Sequence, residues 1–190
     1  MRKNLYIIAG CNGAGKTTAS FTILPEILNC FEFVNADEIA KGLSPFRPEK
    51  AAFEAGRIML DRIAELLRKQ VDFAFETTLA SKTYKEKVAL AQKENYKVTL
   101  LFFWLNSVEL AIERVKIRVK KGGHNIPKDV IERRYKNGIS NLFNIYIDLC
   151  DEIMIFDNSN TSYELLAKKE KGQDLIIFNN EKWKLIKLKK

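Results

Sequence analysis

Histidine is almost absent from this chain, cysteine is scarce, and no long apolar run occurs. His124, the single histidine, reads as a turn residue rather than a catalyst. Cys11, Cys30 and Cys150 form an odd set without zinc-ligand spacing, which points to a reduced, cytoplasmic setting rather than a disulfide framework. No apolar stretch approaches the roughly 20 residues needed to span a bilayer, so no membrane association is expected. Met1-Arg2-Lys3-Asn4 passes straight into a strand-like segment and leaves no room for a signal peptide. Internal repeats, low-complexity tracts and linkers are missing too, which fits one compact unit of 190 residues. An N-K-x-D base-recognition motif is also lacking, which argues against a GTPase, as the modest length argues against a transporter ATPase.

What the chain has is a basic balance, net +8, unevenly spread. Lys168 to Lys190 holds eight lysines and three acids. Such a balance suits an anionic partner, whether nucleotide, nucleic acid or acidic protein, without choosing among them.

Leu5-Tyr6-Ile7-Ile8-Ala9 is a short β-rich apolar run, as expected of a strand covered on both faces. Thr17 to Leu28 can be helical up to a break near Pro25. Phe31 to Asn35, Phe73 to Phe75, Val98 to Leu105 and Ile153 to Phe156 read as further strands. Between them lie helical segments; one carries an apolar stripe of Ala52, Ala55, Met59, Ile63 and Leu66. Strands alternating with helices predict an α/β fold of three α/β/α layers around a mainly parallel sheet, and a G-x-x-x-x-G-K-T loop at residues 10–17, directly after the first strand, makes it of the P-loop NTPase type. Leu175 to Phe178, Asn179-Asn180 and Trp183 to Leu188 read as a C-terminal β-hairpin. The expected organisation is a P-loop domain over 1–160, with 161–190 as a hairpin extension packed on it.

Gly10-Cys11-Asn12-Gly13-Ala14-Gly15-Lys16-Thr17 matches G-x-x-x-x-G-K-(S/T) at every fixed position. The glycines let backbone N–H groups turn inward as a nest for phosphate oxygens, and the helix N-terminus behind them favours negative charge. Lys16 is expected to reach the β- and γ-phosphates of ATP, and the Thr17 hydroxyl to bind Mg2+. Gly10, Asn12, Gly13, Ala14, Gly15 and Thr18 complete the expected nucleotide cradle, with Arg114 beside it. Cys11 is expected only to pack.

Ligands of an open α/β sheet sit beyond the carboxyl ends of its strands, where Asp37 and Glu76 fall. Asp37, on a strand expected to neighbour the P-loop strand, is the candidate general base and substrate contact. Glu76 is expected to support the metal or hold substrate, and Thr77 and Thr78 to offer hydroxyls to the substrate. Arg114 and Arg118 share a helix face just before Gly122-Gly123, as a lid meeting a transferring phosphoryl group requires. Of the adjacent pair Arg133-Arg134, only one is expected to face the site.

Gly10 to Thr18, Asn35-Ala36-Asp37, Glu76-Thr77-Thr78-Leu79, and Gly122 to Pro127 leading into Arg133-Arg134-Tyr135, in this order, resemble the short zeta-toxin-like P-loop kinases. The resemblance implies ATP- and Mg-dependent phosphorylation of a hydroxyl on UDP-N-acetylglucosamine or a related UDP-amino sugar, and an antitoxin partner, here acidic. It places Lys16 and Thr17 on phosphate and Mg2+, Asp37 as base, Glu76 and Thr78 on the substrate side, and Arg118 and Arg134 in the lid. Alternatives left open are a polynucleotide or nucleoside kinase and, from another class, a nucleotide-dependent switch.

Overall fold

The computed structural model describes residues 2–189. Its centre is a seven-stranded sheet of order β2-β3-β1-β4-β5-β6-β7. β1 (Lys3–Ala9) lies between β3 (Phe73–Thr77) and β4 (Tyr96–Trp104), parallel to both. β2 (Glu32–Val34) and β5 (Glu152–Asp157) extend the parallel part outward. β6 (Glu164–Glu170) and β7 (Ile176–Ile177) add an antiparallel edge.

Leu5 to Ala9 and Val98 to Trp104 are buried without alternation. Successive strand residues point to opposite faces, so this pattern means that both faces of the sheet are covered. The covering helices are α1 (Lys16–Thr22), α2 (Ala36–Leu43), α3 (Ala52–Lys69), α4 (Tyr84–Lys93), α5 (Val108–Lys120), α6 (Lys128–Asn141), the single turn α7 (Ile147–Leu149) and α8 (Asn180–Leu188). On α3 the stripe of Ala55, Met59, Ile63 and Leu66 is buried as its spacing predicts, whereas Ala52 is exposed at the helix start. No helix among the described residues is long and apolar enough to cross a membrane.

Three local expectations need correction. The helix after the glycine-rich loop does not break at Pro25 but widens into a π-helical turn over Ile23–Ile27. A proline lacks the N–H that a regular turn would use, and the wider turn absorbs it. The C-terminal antiparallel strands are present, but one element earlier than the sequence suggests: β6 pairs with β7, and 180–188 is helical. Asn179, taken for a hairpin turn, instead caps α8 by accepting from the Lys182 amide at 3.1 Å. Finally, β2 does not neighbour β1, because β3 is inserted between them. Strand order depends on crossover choices that no local pattern encodes, and this insertion puts Glu76 rather than Asp37 on the strand adjacent to the P-loop.

Candidate active site

β1 ends at Ala9, and residues 10–15 wrap back before α1 begins at Lys16. Gly10 and Gly15 have φ of +143° and +79°, where side chains are strained. Space is lacking as well: a Cβ on Gly10 would lie 2.2 Å from the Phe103 carbonyl oxygen, and one on Gly15 would lie 2.4 Å from Asn158 Nδ2. Ala14 turns its methyl into the core, and Cys11 is buried, its thiol pushed up to about 11 by burial. Gly13, Gly15, Lys16, Thr17 and Thr18 line an open cavity of about 580 Å3.

Lys16 is buried against the loop it belongs to. Its Nζ donates to the Cys11 carbonyl at 3.0 Å and lies 3.5 Å from Glu76 Oε1. The other Glu76 oxygen accepts from Thr17 Oγ1 at 2.7 Å and from Asn35 Nδ2 at 3.0 Å. Asn35 in turn caps α2, its Oδ1 accepting from the Asp37 amide at 2.8 Å and the Glu38 amide at 3.4 Å. One buried asparagine thereby ties the first turn of the Asp37 helix to the carboxylate beside the P-loop. Asp37 itself is about half exposed and opens onto the cavity, with His124 Nε2 3.9 Å from its Oδ2.

The cavity's remaining wall comes from α5 and the segment after it, through Arg114, Arg118, Lys121 and His124. Arg118 Nη2 donates to the His124 carbonyl at 3.4 Å, while its Nε is buried without a partner. Arg114 also lines the cavity, yet its guanidinium is spent on the carbonyls of Asn158, Ser159 and Asn160. Arg134 comes from α6, which is docked onto the strand ends by a Tyr135 hydroxyl donating to the Leu105 carbonyl (2.7 Å) and Asn141 Nδ2 donating to the Leu79 carbonyl (2.8 Å). Of the adjacent arginines, Arg133 faces solvent, while Arg134 Nη1 donates to the buried Asn12 side chain at 3.1 Å. Burial draws the Arg134 pKa below its usual value, and the nearby Asp37 carboxylate opposes that shift.

Not every expected contact is there. Thr77 does not line the cavity; its hydroxyl accepts from the Leu79 amide at 3.0 Å and is buried. Strand neighbours alternate in direction, so with Glu76 turned toward Lys16, Thr77 must turn away. Thr78 is half-buried and also lies outside the cavity lining. Conversely, His124 and Asn35 belong to the site although neither was expected to have a role there beyond standing in the segments that carry the resemblance. For Asn35 the available clue was its place two residues before Asp37, the spacing of a helix cap.

The donor set fits a hard divalent cation beside a phosphate: a threonine hydroxyl and a carboxylate already in contact at the P-loop. The cations Lys16, Lys41, Arg118 and Lys121 face the same cavity as Asp37, Glu38 and Glu76. That is an arrangement suited to holding polyphosphate next to carboxylates.

Residues 44–170 match the zeta toxin family. This span begins after both the P-loop and Asp37, so the family match and the phosphate loop are separate observations. A Haemophilus influenzae protein of uncharacterized function is 28% identical over 148 residues, 71% of this chain and 99% of that protein. The AvrRxo1-ORF1:-ORF2 complex with ATP contains a similar fold, with a TM-score of 0.75 at 17% identity. The match covers 97% of this chain and 63% of that one, so the present chain spans less than two thirds of its length. The PezAT chromosomal toxin-antitoxin system of Streptococcus pneumoniae provides another, with a TM-score of 0.66 at 13% identity over 99% of this chain and 84% of that one.

Proposed function

We propose, from the premise that the chain belongs to the zeta toxin family and is a P-loop kinase, that it moves the γ-phosphoryl group of ATP to a hydroxyl of a small UDP-amino sugar, with Asp37 as general base. The observation that carries this reading is the Lys16–Glu76–Thr17–Asn35 network, which joins the phosphate loop to the helix bearing Asp37.

The P-loop amides and Lys16 hold the donor phosphates, and Lys16 meets charge that builds on the leaving ADP oxygen. Mg2+, held at Thr17 and Glu76, would neutralise phosphate charge. Asp37, open to the cavity, takes the proton of the acceptor hydroxyl as its oxygen bonds to the γ-phosphorus and the bond to ADP breaks. Arg118 and Arg134 supply charge to the transferring group from the α5 and α6 sides, and Asn12 orients Arg134. Arg114 reads differently: bound to three carbonyls, it holds the 158–160 segment, whose Asn158 donates to the Ala14 carbonyl of the loop, in place. Thr78 keeps the substrate-side role that the resemblance implies, from outside the cavity lining.

Incubating the protein with labelled ATP and sugar nucleotides, nucleosides and oligonucleotides tests the assignment. Label on a UDP-amino sugar supports it. Label only on oligonucleotide 5′ ends transfers the assignment to a polynucleotide kinase, the reading that Lys41 and Lys121 in the cavity lining and the +8 net charge also favour. An acidic antitoxin in the cytoplasm is the partner that this charge suits. The three free, buried cysteines accord with a reducing compartment.

A further inference from the structure

The residues after β5 lie outside the phosphate loop, yet they clamp it from behind. Asn158 Nδ2 donates to the Ala14 carbonyl at 2.8 Å and closes on Gly15, where an added Cβ would have to displace it. Asp157, at the end of β5, is 3% exposed. One of its oxygens accepts from the Ser159 amide at 3.0 Å and the Ser159 hydroxyl at 2.5 Å, closing the turn that aims Asn158 at the loop. The other lies 2.7 Å from Lys182 Nζ. Lys182 belongs to α8, an element that contributes nothing to the cavity, and its second partner is the half-exposed Glu164 at 2.7 Å.

A buried carboxylate is costly unless it is paired and hydrogen-bonded, and once paired it is fixed in place. Burial pushes the Asp157 pKa up, but Lys182 and Ser159 outweigh it and hold the carboxyl below its usual value. A contiguous chain of polar contacts therefore runs from Lys182 through Asp157 and its turn to the Ala14–Gly15 peptide.

We propose that Lys182 is a positioning residue for the donor nucleotide: through Asp157 and Asn158 it holds the Ala14–Gly15 part of the phosphate loop in its ATP-binding geometry. The inference rests on the P-loop kinase reading above. It gives the C-terminal segment a task in nucleotide affinity rather than in chemistry. Asp37 and Glu76 stand on the β2–β3 side of β1, whereas this clamp acts from the β4–β5 side. Removing Lys182 should accordingly weaken ATP binding and leave turnover at saturating ATP nearly untouched.

The test measures ATP Kd by calorimetry, together with kcat, on the full-length chain. K182M should raise Kd about 5- to 20-fold, the lower part of the range usual for coupling between sites, with kcat within about twofold. K182R should recover most of the affinity, since a guanidinium can still pair with Asp157. N158A should weaken ATP similarly, and K182M/N158A should be little worse than either single variant, because the two act in series. E164Q, which removes only the exposed partner of Lys182, should keep the wild-type Kd. A folded K182M with wild-type ATP affinity overturns the inference, even if its Tm falls, and so does full additivity in the double variant. Should K182M not fold, N158A with unchanged ATP affinity overturns it equally. A wild type that fails to bind ATP overturns the kinase reading and this inference with it; wild-type binding with an unaffected K182M overturns this inference alone.

Discussion

Replacing Asn35 should separate two contributions that the structure superimposes on one side chain. Its Oδ1 caps α2, and its Nδ2 donates to the Glu76 carboxylate in a site sheltered from water. Losing an asparagine cap costs about 0.5–2 kcal/mol. Losing a hydrogen bond to a charged acceptor costs about 1.5–3 kcal/mol. N35A should therefore lose roughly 2–5 kcal/mol, a large share of the 5–15 kcal/mol that holds a typical domain together. N35D keeps the cap but turns a donor into a second carboxylate against Glu76, so it should regain the capping contribution and none of the other. Urea denaturation at pH 7 reads the stabilities, and kcat with saturating ATP reads the consequence for Asp37. Activity should fall in both variants, because Asp37 loses its registration with Glu76 in one and Glu76 is repelled from Thr17 in the other. N35A within about 0.5 kcal/mol of wild type, or N35D equal to wild type in kcat, would refute the idea that Asn35 couples the two acids.

Three further expectations can be checked separately. D37N should still bind ATP but transfer phosphate about 10²-fold more slowly, or worse, the scale of a lost general base; undiminished turnover would move the base elsewhere. R118A and R134A should lower kcat more than they raise the ATP KM, since charge on the transferring group peaks in the transition state. Should steady-state kinetics show the reverse, the arginines serve ground-state binding. Burial holds the His124 pKa below its usual value, with Asp37 and Glu49 opposing and Arg118 and Lys41 reinforcing that shift. The unfolded chain then binds more protons than the folded one below about pH 6.5, so wild-type stability should decline as pH falls through that window. H124Q should flatten the decline in thermal melts, and an unchanged slope would assign it to other groups.

The parts of the site that were legible in the sequence are those for which chemistry allows few residue types. A phosphate nest needs glycine where φ is positive or a Cβ would collide, as at Gly10 and Gly15, so the loop could be read directly. Asp37 and Glu76 were legible because strand ends are where an α/β sheet displays its ligands. Adjacency was not: only the fold shows that β3 and not β2 borders β1, which makes Glu76 the partner of Lys16. Side-chain direction was lost at Thr77, where the alternation of the strand competed with the likeness of two consecutive threonines. The Asn179-Asn180 pair is a turn signal and a cap signal at once. Burial of Trp183 and Ile186, three apart on one face, decides for the helix. Arg114, a cavity residue by position, proved committed to backbone carbonyls through contacts some 45 residues away in sequence, a separation at which local pattern carries no information.

The most direct measurement of the central claim is phosphoryl transfer from γ-labelled ATP to a UDP-amino sugar, run beside K16A. Lys16 is buried between the loop carbonyl of Cys11 and Glu76, so its ammonium is held within the phosphate loop itself. The wild type should give labelled sugar nucleotide and ADP in equal amounts, and K16A neither product nor tight ATP binding. Wild-type ATP binding with no label on any hydroxyl acceptor, or K16A that binds and transfers as the wild type does, would contradict it.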